Sequence, residues 1–443
     1  MTRKTAAVLT LGCRLNQADS ALLSGRLQRL GFEIVDADAS VSPNVIVVNS
    51  CAVTAVAMKK SLQALRSIRA ENPQSFLVFT GCGAEVAEKT LKNSDLADLL
   101  ILNDKKRDLE NLLPRHLAYL ELSAKQNNEQ PEDQTVFREN VNSLFPFRTR
   151  ATLKIQDGCS NSCAYCIVPK LRGPERSRDF EETLQDFRNM VEQGFHEIVF
   201  SGVNLCSYQC GKENLATLLK ACLEIPGEWR IRLGSLEPGK VLPEVLRVMA
   251  ESNGRICQFL HMPLQNGSDT ILKAMNRHCL TAEYAKYVKL ARELMPDIHI
   301  GTDLIVGFPG ETEKLFEESL QFIKSMNFAN IHVFPFSPRP GTEAEKMPLN
   351  CTKEQVENRL TKVKEHKAEV SAEFIKQQIG KTTETVLVEL RRGSELWEGW
   401  TGNYIKTRIA CKEDLSRKLV KVRFAKVLNT GEMAAYPVED QTK

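Results

Sequence analysis

The pattern that most constrains this chain is an alternation of short apolar runs with amphipathic segments, which occurs in two separate regions. Between residues 1 and 120, AAVLTLGC, NVIVVNSC and SFLVFTGC have the length and composition of buried parallel strands. The segments between them have the spacing of amphipathic helices, which Gly31 and Pro73 end. A fourth short strand, ADLLILN, follows. This order is typical of an α/β fold with an open, doubly wound parallel sheet.

The alternation resumes between residues 149 and 345, after a polar segment at 121–148 that we interpret as a linker. Six runs predict strands: ATLKIQDG, EIVFSGVN, RIRLGSLEP, ICQFLHMPL, IHIGTDLIVGF and IHVFPFSP. Six such units favour a partial (β/α)6 barrel that is open on one side. Residues 346–379 predict a connecting amphipathic helix. Residues 380–443 contain short runs typical of a small antiparallel, OB-like β barrel.

Composition and charge narrow the class of protein. The net charge of the 443 residues is only +3, so any nucleic-acid surface must come from a local patch. No apolar run reaches about 18 residues and the amino terminus lacks a secretory signal, so we expect a cytoplasmic protein without membrane contact. Disulfides are rare in the cytoplasm, and the thirteen cysteines therefore favour metal ligation.

One group of cysteines has a short, regular spacing. Cys159, Cys163 and Cys166 form C-x3-C-x2-C in the loop after the first predicted barrel strand. Three thiolates can ligate three irons of a [4Fe–4S] cluster and leave the fourth iron open to a small molecule. Zinc is an alternative, but structural zinc takes four protein ligands, and no His or fourth Cys lies nearby. Three free thiols are the other alternative, which the flanking Gly, Ser and Asn residues disfavour.

A second group of cysteines shares a topological position instead of a spacing. Cys13, Cys51 and Cys82 each follow the carboxyl end of a predicted parallel strand. Because these ends line one crevice in an open α/β sheet, we expect the three thiols to converge. Gly12 would let the backbone approach a bulky ligand, and Asn16 could donate a hydrogen bond to a cluster sulfur. The alternative is that small buried residues simply end three core strands.

Several motifs resemble one family over nearly the whole chain. The C-x3-C-x2-C motif with Tyr165 before its last cysteine resembles the radical S-adenosylmethionine superfamily. LGCRLNQADS, VVNSCAVT and TGCGAE resemble the amino-terminal domain of its methylthiotransferases, and RGPERSRD, FSGVN, GSLEP, HMPLQNGSD and GTDLIVGFPGET also agree. The resemblance implies a radical-generating [4Fe–4S] cluster on Cys159, Cys163 and Cys166, and a sulfur-donating one on Cys13, Cys51 and Cys82. The residues that it places beside S-adenosylmethionine are Tyr165, Gly202, Asn204, Ser235 and Glu237.

The same resemblance implies the reaction. One S-adenosylmethionine methylates a cluster-bound sulfur, and a second is cleaved reductively to a radical that removes hydrogen from C2 of an adenine, to which the methylthio group is transferred. Flavodoxin or ferredoxin would supply electrons to a protein that we expect to be a monomer. GCRLNQ and NSCAVT look like the branch acting on N6-threonylcarbamoyladenosine at position 37 of tRNA, although Ser50 stands where Thr is commoner.

Three alternatives stay open. The same chemistry would serve isopentenyladenosine of tRNA or an aspartate of a ribosomal protein. A different radical enzyme could carry the amino-terminal domain for structure alone. A noncatalytic iron–sulfur protein could bind RNA without producing 5′-deoxyadenosine.

A basic strip lies near the carboxyl terminus, in a region that resembles the family's TRAM-like RNA-binding module. Residues 406–426 hold eight basic and two acidic side chains, and such a strip can follow phosphates. Trp397, Trp400, Tyr404 and Phe424 could stack on unpaired bases, or they could fill the core of the barrel. The side chains that we expect to contact tRNA are Lys406, Arg408, Arg417, Lys418, Lys421 and Arg423.

Overall fold

The computed structural model describes residues 4–36, 42–91, 94–116, 136–137, 149–381, 384–392 and 395–438. The predicted linker at 121–148 lies outside these residues, apart from the two-residue strand at 136–137. Within the described ranges, no helix is both long and apolar enough to cross a membrane.

The amino-terminal part is a parallel sheet with helices on both faces. Its elements are β1 (Thr5–Thr10), α1 (Arg14–Arg29), β2 (Glu33–Ile34), β3 (Val45–Ser50), α2 (Ala55–Glu71), β4 (Phe76–Gly81), α3 (Cys82–Leu91), β5 (Leu99–Ile101) and α4 (Leu109–His116). The strand order is β2-β1-β3-β4-β5, with every pair parallel. Val45 and Val47 pack under α1 and α4, and Ile46 and Val48 under α2 and α3. The predicted doubly wound sheet is confirmed.

The central part is an open parallel sheet with helices on its outer face. In chain order its elements are β6 (Val136–Phe137), β7 (Ala151–Lys154), β8 (Gln156–Asp157), α5 (Val168–Arg172), β9 (Arg176–Arg178), α6 (Phe180–Glu192), β10 (Glu197–Ser201), β11 (Gln209–Cys210), β12 (Glu213–Asn214), α7 (Leu215–Leu223), β13 (Arg230–Leu233), α8 (Leu242–Glu251), β14 (Phe259–His261), α9 (Asp269–Ala274), α10 (Thr281–Leu294), β15 (His299–Val306), α11 (Glu313–Met326) and β16 (Asn330–Pro335). The strands run β7-β10-β13 and β14-β15-β16, and two isolated parallel bridges join the halves. The predicted partial barrel is confirmed.

The inside of this partial barrel is mostly polar. On β10, Ile198 and Phe200 belong to the core under the helices, so the alternate residues Glu197 and Val199 face inward. The same alternation applies to every main strand. The inward-facing polar residues include Thr152, Lys154, Glu197, Ser201, Arg230, Arg232, His261, Asp303 and His332.

The carboxyl-terminal part is a helix followed by a small closed barrel. Its elements are α12 (Lys353–Lys376), β17 (Glu384–Arg392), β18 (Leu396–Thr401), β19 (Lys406–Ala410), β20 (Leu419–Val427) and β21 (Met433–Pro437). The barrel order of its five strands is β17-β18-β19-β21-β20, which confirms the predicted small β barrel. One detail of the prediction was wrong, because β19 and β21 are parallel. Five strands are an odd number, so neighbours in a closed ring cannot all be antiparallel.

The end of β18 and the turn that follows it, residues 400–405, attach the small barrel to the partial barrel and are here called the docked loop. Arg230 donates to the Trp400 carbonyl at 2.8 Å, and Arg232 donates to the Thr401 carbonyl at 2.8 Å. Both guanidinium groups also contact the buried carboxylate of Glu197, at 2.6 and 2.7 Å. Although burial disfavours the charged carboxylate, these cations hold the pKa of Glu197 well below its usual value. A buried ionic group therefore fixes the docked loop.

Candidate functional site

Three neighbouring strands of the amino-terminal sheet bring together Cys13, Cys51 and Cys82. Cys13 follows β1 as the residue before α1, Cys51 follows β3, and Cys82 follows β4 directly. Burial raises the pKa of the Cys51 and Cys82 thiols, and the nearby Cys13 raises both further. The predicted convergence at the carboxyl ends of parallel strands is therefore what the structure has.

The backbone of Gly12 lies directly against the side chain of Cys51. At Gly12, where φ is +101°, an added Cβ would lie 2.4 Å from the Cβ of Cys51 and 2.7 Å from its sulfur. Among the described residues no group of three His, Cys, Asp or Glu side chains could hold a single metal ion. A [4Fe–4S] cluster needs a wider arrangement than a single metal ion, because each cysteine binds a different iron and the cysteine sulfurs therefore lie further apart. Three thiols around a glycine cradle thus suit a [4Fe–4S] cluster with one open iron.

The amide of Asn16 has another role than the expected bond to a cluster sulfur. Its Nδ2 donates to the carbonyls of Leu11, at 2.8 Å, and of Ser50, at 2.9 Å. These bonds tie the ends of β1 and β3 together beside Cys13 and Cys51. Asn16 therefore fixes the backbone that carries the thiols, and the expectation for its amide was wrong.

Cys159, Cys163 and Cys166 lie in the loop between β8 and α5. The backbone N–H of Cys159 donates to the Gly173 carbonyl at 3.1 Å, and that of Cys166 donates to the Cys163 carbonyl at 3.0 Å. Burial raises the pKa of Cys159, and it raises the pKa of Cys166 to about 12. Because metal ligation requires thiolates, binding of iron would displace the protons that burial keeps on these thiols. Burial also raises the pKa of Tyr165 well above its usual value.

The predicted cofactor-binding residues lie at the same edge of the partial barrel. Gly202 and Asn204 follow β10, while Ser235 and Glu237 follow β13. The Gln156 side-chain oxygen accepts from the backbone N–H groups of Val203 and Asn204, at 2.7 and 2.9 Å. The structure therefore brings together the cysteine loop and the ends of two adjacent strands.

Arg277 joins these two features and was missed from the sequence. Its guanidinium donates to both carboxylate oxygens of Glu237, at 2.6 and 3.2 Å, and lies 3.7 Å from the sulfur of Cys163. The residue stands in NRHC, where no spacing or motif distinguishes it from a surface arginine. Only the fold reveals that it holds Glu237 beside the cysteine loop.

The two groups of cysteines border one interface. Cys82 and Ala52 pack in one apolar cluster with Ile167 and Leu171, which follow Cys166 in the chain. The residues next to one group of thiols thus contact the residues next to the other. The two candidate metal centres are neighbours across the boundary between the sheet and the partial barrel.

Arg172 bridges the same boundary through a buried ionic network. It donates to Asn16 Oδ1 at 2.7 Å, to Asp157 at 3.0 Å and to Asp19 at 3.2 Å. Asp19 also contacts Lys106, at 2.8 Å, and Lys154 of the partial barrel, at 3.0 Å. Although burial disfavours a charged Asp19, these cations hold its pKa well below the usual value.

The predicted RNA-binding side chains divide into two kinds. Lys406 and Arg408 are half-buried and form ion pairs with Glu398 and Glu432. The other four predicted side chains, Arg417, Lys418, Lys421 and Arg423, are exposed.

All four aromatic residues suggested for base stacking have partners inside the protein. Trp397 and Phe424 are buried in the core of the small barrel. Trp400 stacks on Tyr404, with ring centres 4.7 Å apart, in the docked loop. For Trp397 and Phe424 the core alternative was therefore correct and the stacking hypothesis wrong.

Comparisons with known proteins agree with this arrangement. Residues 153–323 match the radical SAM superfamily, and residues 5–102 match an uncharacterized protein family, UPF0004. The chain is 35% identical to threonylcarbamoyladenosine tRNA methylthiotransferase MtaB of Thermotoga maritima, with 91% of each chain covered. It is 33% identical to tRNA-2-methylthio-N(6)-dimethylallyladenosine synthase of Thermodesulfovibrio yellowstonii, covering 96% of this chain and 97% of that protein.

A solved structure shares the fold. The radical S-adenosylmethionine methyltransferase TsrM from Kitasatospora setae aligns with a TM-score of 0.57 at 13% identity, covering 87% of this chain and 81% of that one. The sequence relatives, the matched domains and the two cysteine groups all indicate the same family. The chain belongs to the radical S-adenosylmethionine tRNA methylthiotransferases, iron–sulfur enzymes whose cofactors are S-adenosylmethionine and two [4Fe–4S] clusters.

Proposed function

We propose that this enzyme transfers a methylthio group to C2 of N6-threonylcarbamoyladenosine at position 37 of tRNA. The observation that carries the proposal is the apolar cluster in which Cys82, of one cysteine group, packs with Ile167, the residue after Cys166 of the other group. A carbon radical formed near one centre must meet its sulfur at the other, and adjacent centres allow this.

We assign one cluster to each group of cysteines. Cys159, Cys163 and Cys166 would hold the cluster that donates the electron for cleaving S-adenosylmethionine. Cys13, Cys51 and Cys82 would hold the cluster that carries the sulfur to be transferred. These thiols lie at strand ends that open α/β sheets and parallel barrels generally use for binding.

The chain's own residues would orient the cofactor and the RNA. The binding site for S-adenosylmethionine would be lined by Tyr165, Gly202, Asn204 and Ser235. Arg277 would position the Glu237 carboxylate to accept hydrogen bonds from the hydroxyl or amine groups of this cofactor. We assign the tRNA phosphates to the exposed side chains of Arg417, Lys418, Lys421 and Arg423, with Lys406 and Arg408 contributing through the outer face of their ion pairs. A flavodoxin or ferredoxin as electron donor and a monomeric state remain predictions.

The choice of substrate is supported by the sequence beside Cys13 and Cys51. GCRLNQ and NSCAVT look like the threonylcarbamoyladenosine branch, and relatives with that printed name include the Bacillus subtilis protein, 32% identical over 99% of this chain and 98% of that one. Isopentenyladenosine is the second candidate, because synthases of the dimethylallyl derivative match at 33% identity.

Mass spectrometry of tRNA nucleosides tests the proposal. Cells that lack the gene should lose the methylthio form of N6-threonylcarbamoyladenosine alone and regain it on complementation. Replacing Cys13, Cys51 and Cys82 with Ala should abolish the product and remove about four irons, while 5′-deoxyadenosine is still formed. Loss of the methylthio form of isopentenyladenosine instead would reject the assigned substrate. Full product formation by the triple variant would reject the assigned sulfur donor.

A further inference from the structure

Arg14, the first residue of α1, points toward the inside of the partial barrel. It directly follows Cys13, and its Nη2 donates to the Tyr404 hydroxyl at 3.2 Å. The Tyr404 ring lies 4.8 Å from the ring of Phe259 and 5.1 Å from the guanidinium carbon of Arg232, both of which face inward. The Arg14 side chain is therefore held at the inner wall, next to a proposed cluster ligand.

Beside Arg14 lies a cavity of about 300 Å³, the lower end of the size usual for a small-molecule site. Thr152 and Val199 lie on its wall and alternate with core residues, so the cavity opens on the inside of the partial barrel. Its lining residues are Arg14, Gln17, Thr149, Arg150, Thr152, Val199 and Glu389.

Among the described residues, Arg14 has no carboxylate counterion, whereas its neighbour Arg150 has two. In the same cavity Arg150 contacts the carboxylates of Glu197, at 2.8 Å, and Glu389, at 3.2 Å. For Arg14, the part of the chain that the structure describes offers no carboxylate within 4.0 Å. A guanidinium has five donors, and here a neutral hydroxyl accepts from one nitrogen. A half-buried guanidinium without a carboxylate partner favours an anionic ligand. A carboxylate fits best, because its two oxygens can accept from two parallel N–H groups of the guanidinium.

We propose that Arg14 binds the threonyl carboxylate of the modified adenosine and thereby selects the substrate. The inference rests on the proposed function. C2 and N6 lie on the same edge of the purine ring. If C2 of the base faces the metal centre at Cys13, the N6 substituent therefore extends toward Arg14, the next residue in the chain. An isopentenyl substituent has no charge and would leave the guanidinium unpaired, which penalises its binding.

Binding measurements on the loaded enzyme test this without turnover. Fluorescence anisotropy at fixed salt and without reductant would give the Kd for an anticodon stem-loop carrying N6-threonylcarbamoyladenosine, and for the same stem-loop with the carboxylate converted to an amide. We expect the wild type to prefer the carboxylate roughly tenfold, as for one charge-assisted hydrogen bond pair. Arg14→Gln should abolish this preference, and Arg14→Lys should retain part of it. Arg29→Gln, on the same helix but paired with Glu110, is the charge-matched control.

Each outcome separates the inference from the proposed function. Equal weakening of both stem-loops by Arg14→Gln would mean that the guanidinium contacts RNA phosphate, and it would overturn the proposal. An unchanged preference of Arg14→Gln for the carboxylate stem-loop would also overturn the proposal. Iron content and thermal unfolding report whether the Arg14→Gln variant still folds. If it does not fold, the Arg14→Lys variant provides the test, because it should still prefer the carboxylate stem-loop over the amide stem-loop. If the wild type fails to methylthiolate the threonylcarbamoyl stem-loop, the proposed function fails, and the inference fails with it.

Discussion

Replacing Arg172 with Met should weaken the whole protein and separate radical formation from product formation. Arg172 contacts Asn16, Asp157 and Asp19 across the boundary between the sheet and the partial barrel, at 2.7, 3.0 and 3.2 Å. Because these groups are buried, a lost partner leaves charge without compensation, which typically costs about 3–5 kcal/mol. Asp19 keeps Lys106 and Lys154, so we expect the lower end, about 3 kcal/mol of unfolding free energy.

The assay has two readouts under anaerobic conditions. Denaturant unfolding of the iron-loaded protein reports the loss of stability. The ratio of 5′-deoxyadenosine to methylthiolated product reports whether the two centres still cooperate. We expect Arg172→Met to keep radical formation and to raise this ratio at least tenfold, because the sheet and the partial barrel lose their fixed registration.

Arg172→Lys serves as the matched control. It keeps the positive charge but cannot reach three acceptors with a planar fork, so its stability loss should be smaller and its ratio intermediate. A loss of stability below about 1 kcal/mol for Arg172→Met, together with an unchanged ratio, would refute the bridging role.

Three further predictions follow from the same structure. Gly12→Ala should prevent assembly of the centre at Cys51 and remove about four irons per chain, whereas Gly194→Ala, also at positive φ but with no atom within 4 Å of the added Cβ, should keep them. Glu197→Gln should cost about 3–5 kcal/mol in denaturant unfolding and speed hydrogen exchange of the docked loop, because its arginines lose their carboxylate. The double variant Lys418→Gln/Arg423→Gln should reduce the slope of log binding constant against log salt for tRNA by roughly 1.4–1.8, as expected when two phosphate contacts are lost; an unchanged slope would remove these side chains from the RNA surface.

The elements of this fold could be predicted from sequence because their signals are local. Short apolar runs and amphipathic spacing gave the strand types, and the rule for strand ends placed Cys13, Cys51 and Cys82 together. The parallel pair in the small barrel was missed, although counting five strands in a closed ring would have required it.

The contacts that join the parts could not be predicted in this way. Arg172 and Asn16 are 156 residues apart, and no periodicity connects them. In RIRL the alternation of Arg230 and Arg232 with apolar residues is visible, but which side of the strand is enclosed depends on tertiary packing. The same limit applies to Arg277, whose partner Glu237 lies 40 residues away.

The hydrogen bonds from Arg230 and Arg232 to the docked loop fix the position of the small barrel relative to the partial barrel. If tRNA binds the exposed strands of the small barrel, as we propose, it would therefore lie at a fixed distance from the inside of the partial barrel, where Arg14 contacts Tyr404. The enzyme would then select a nucleotide by its position along the RNA before any group of the base is contacted.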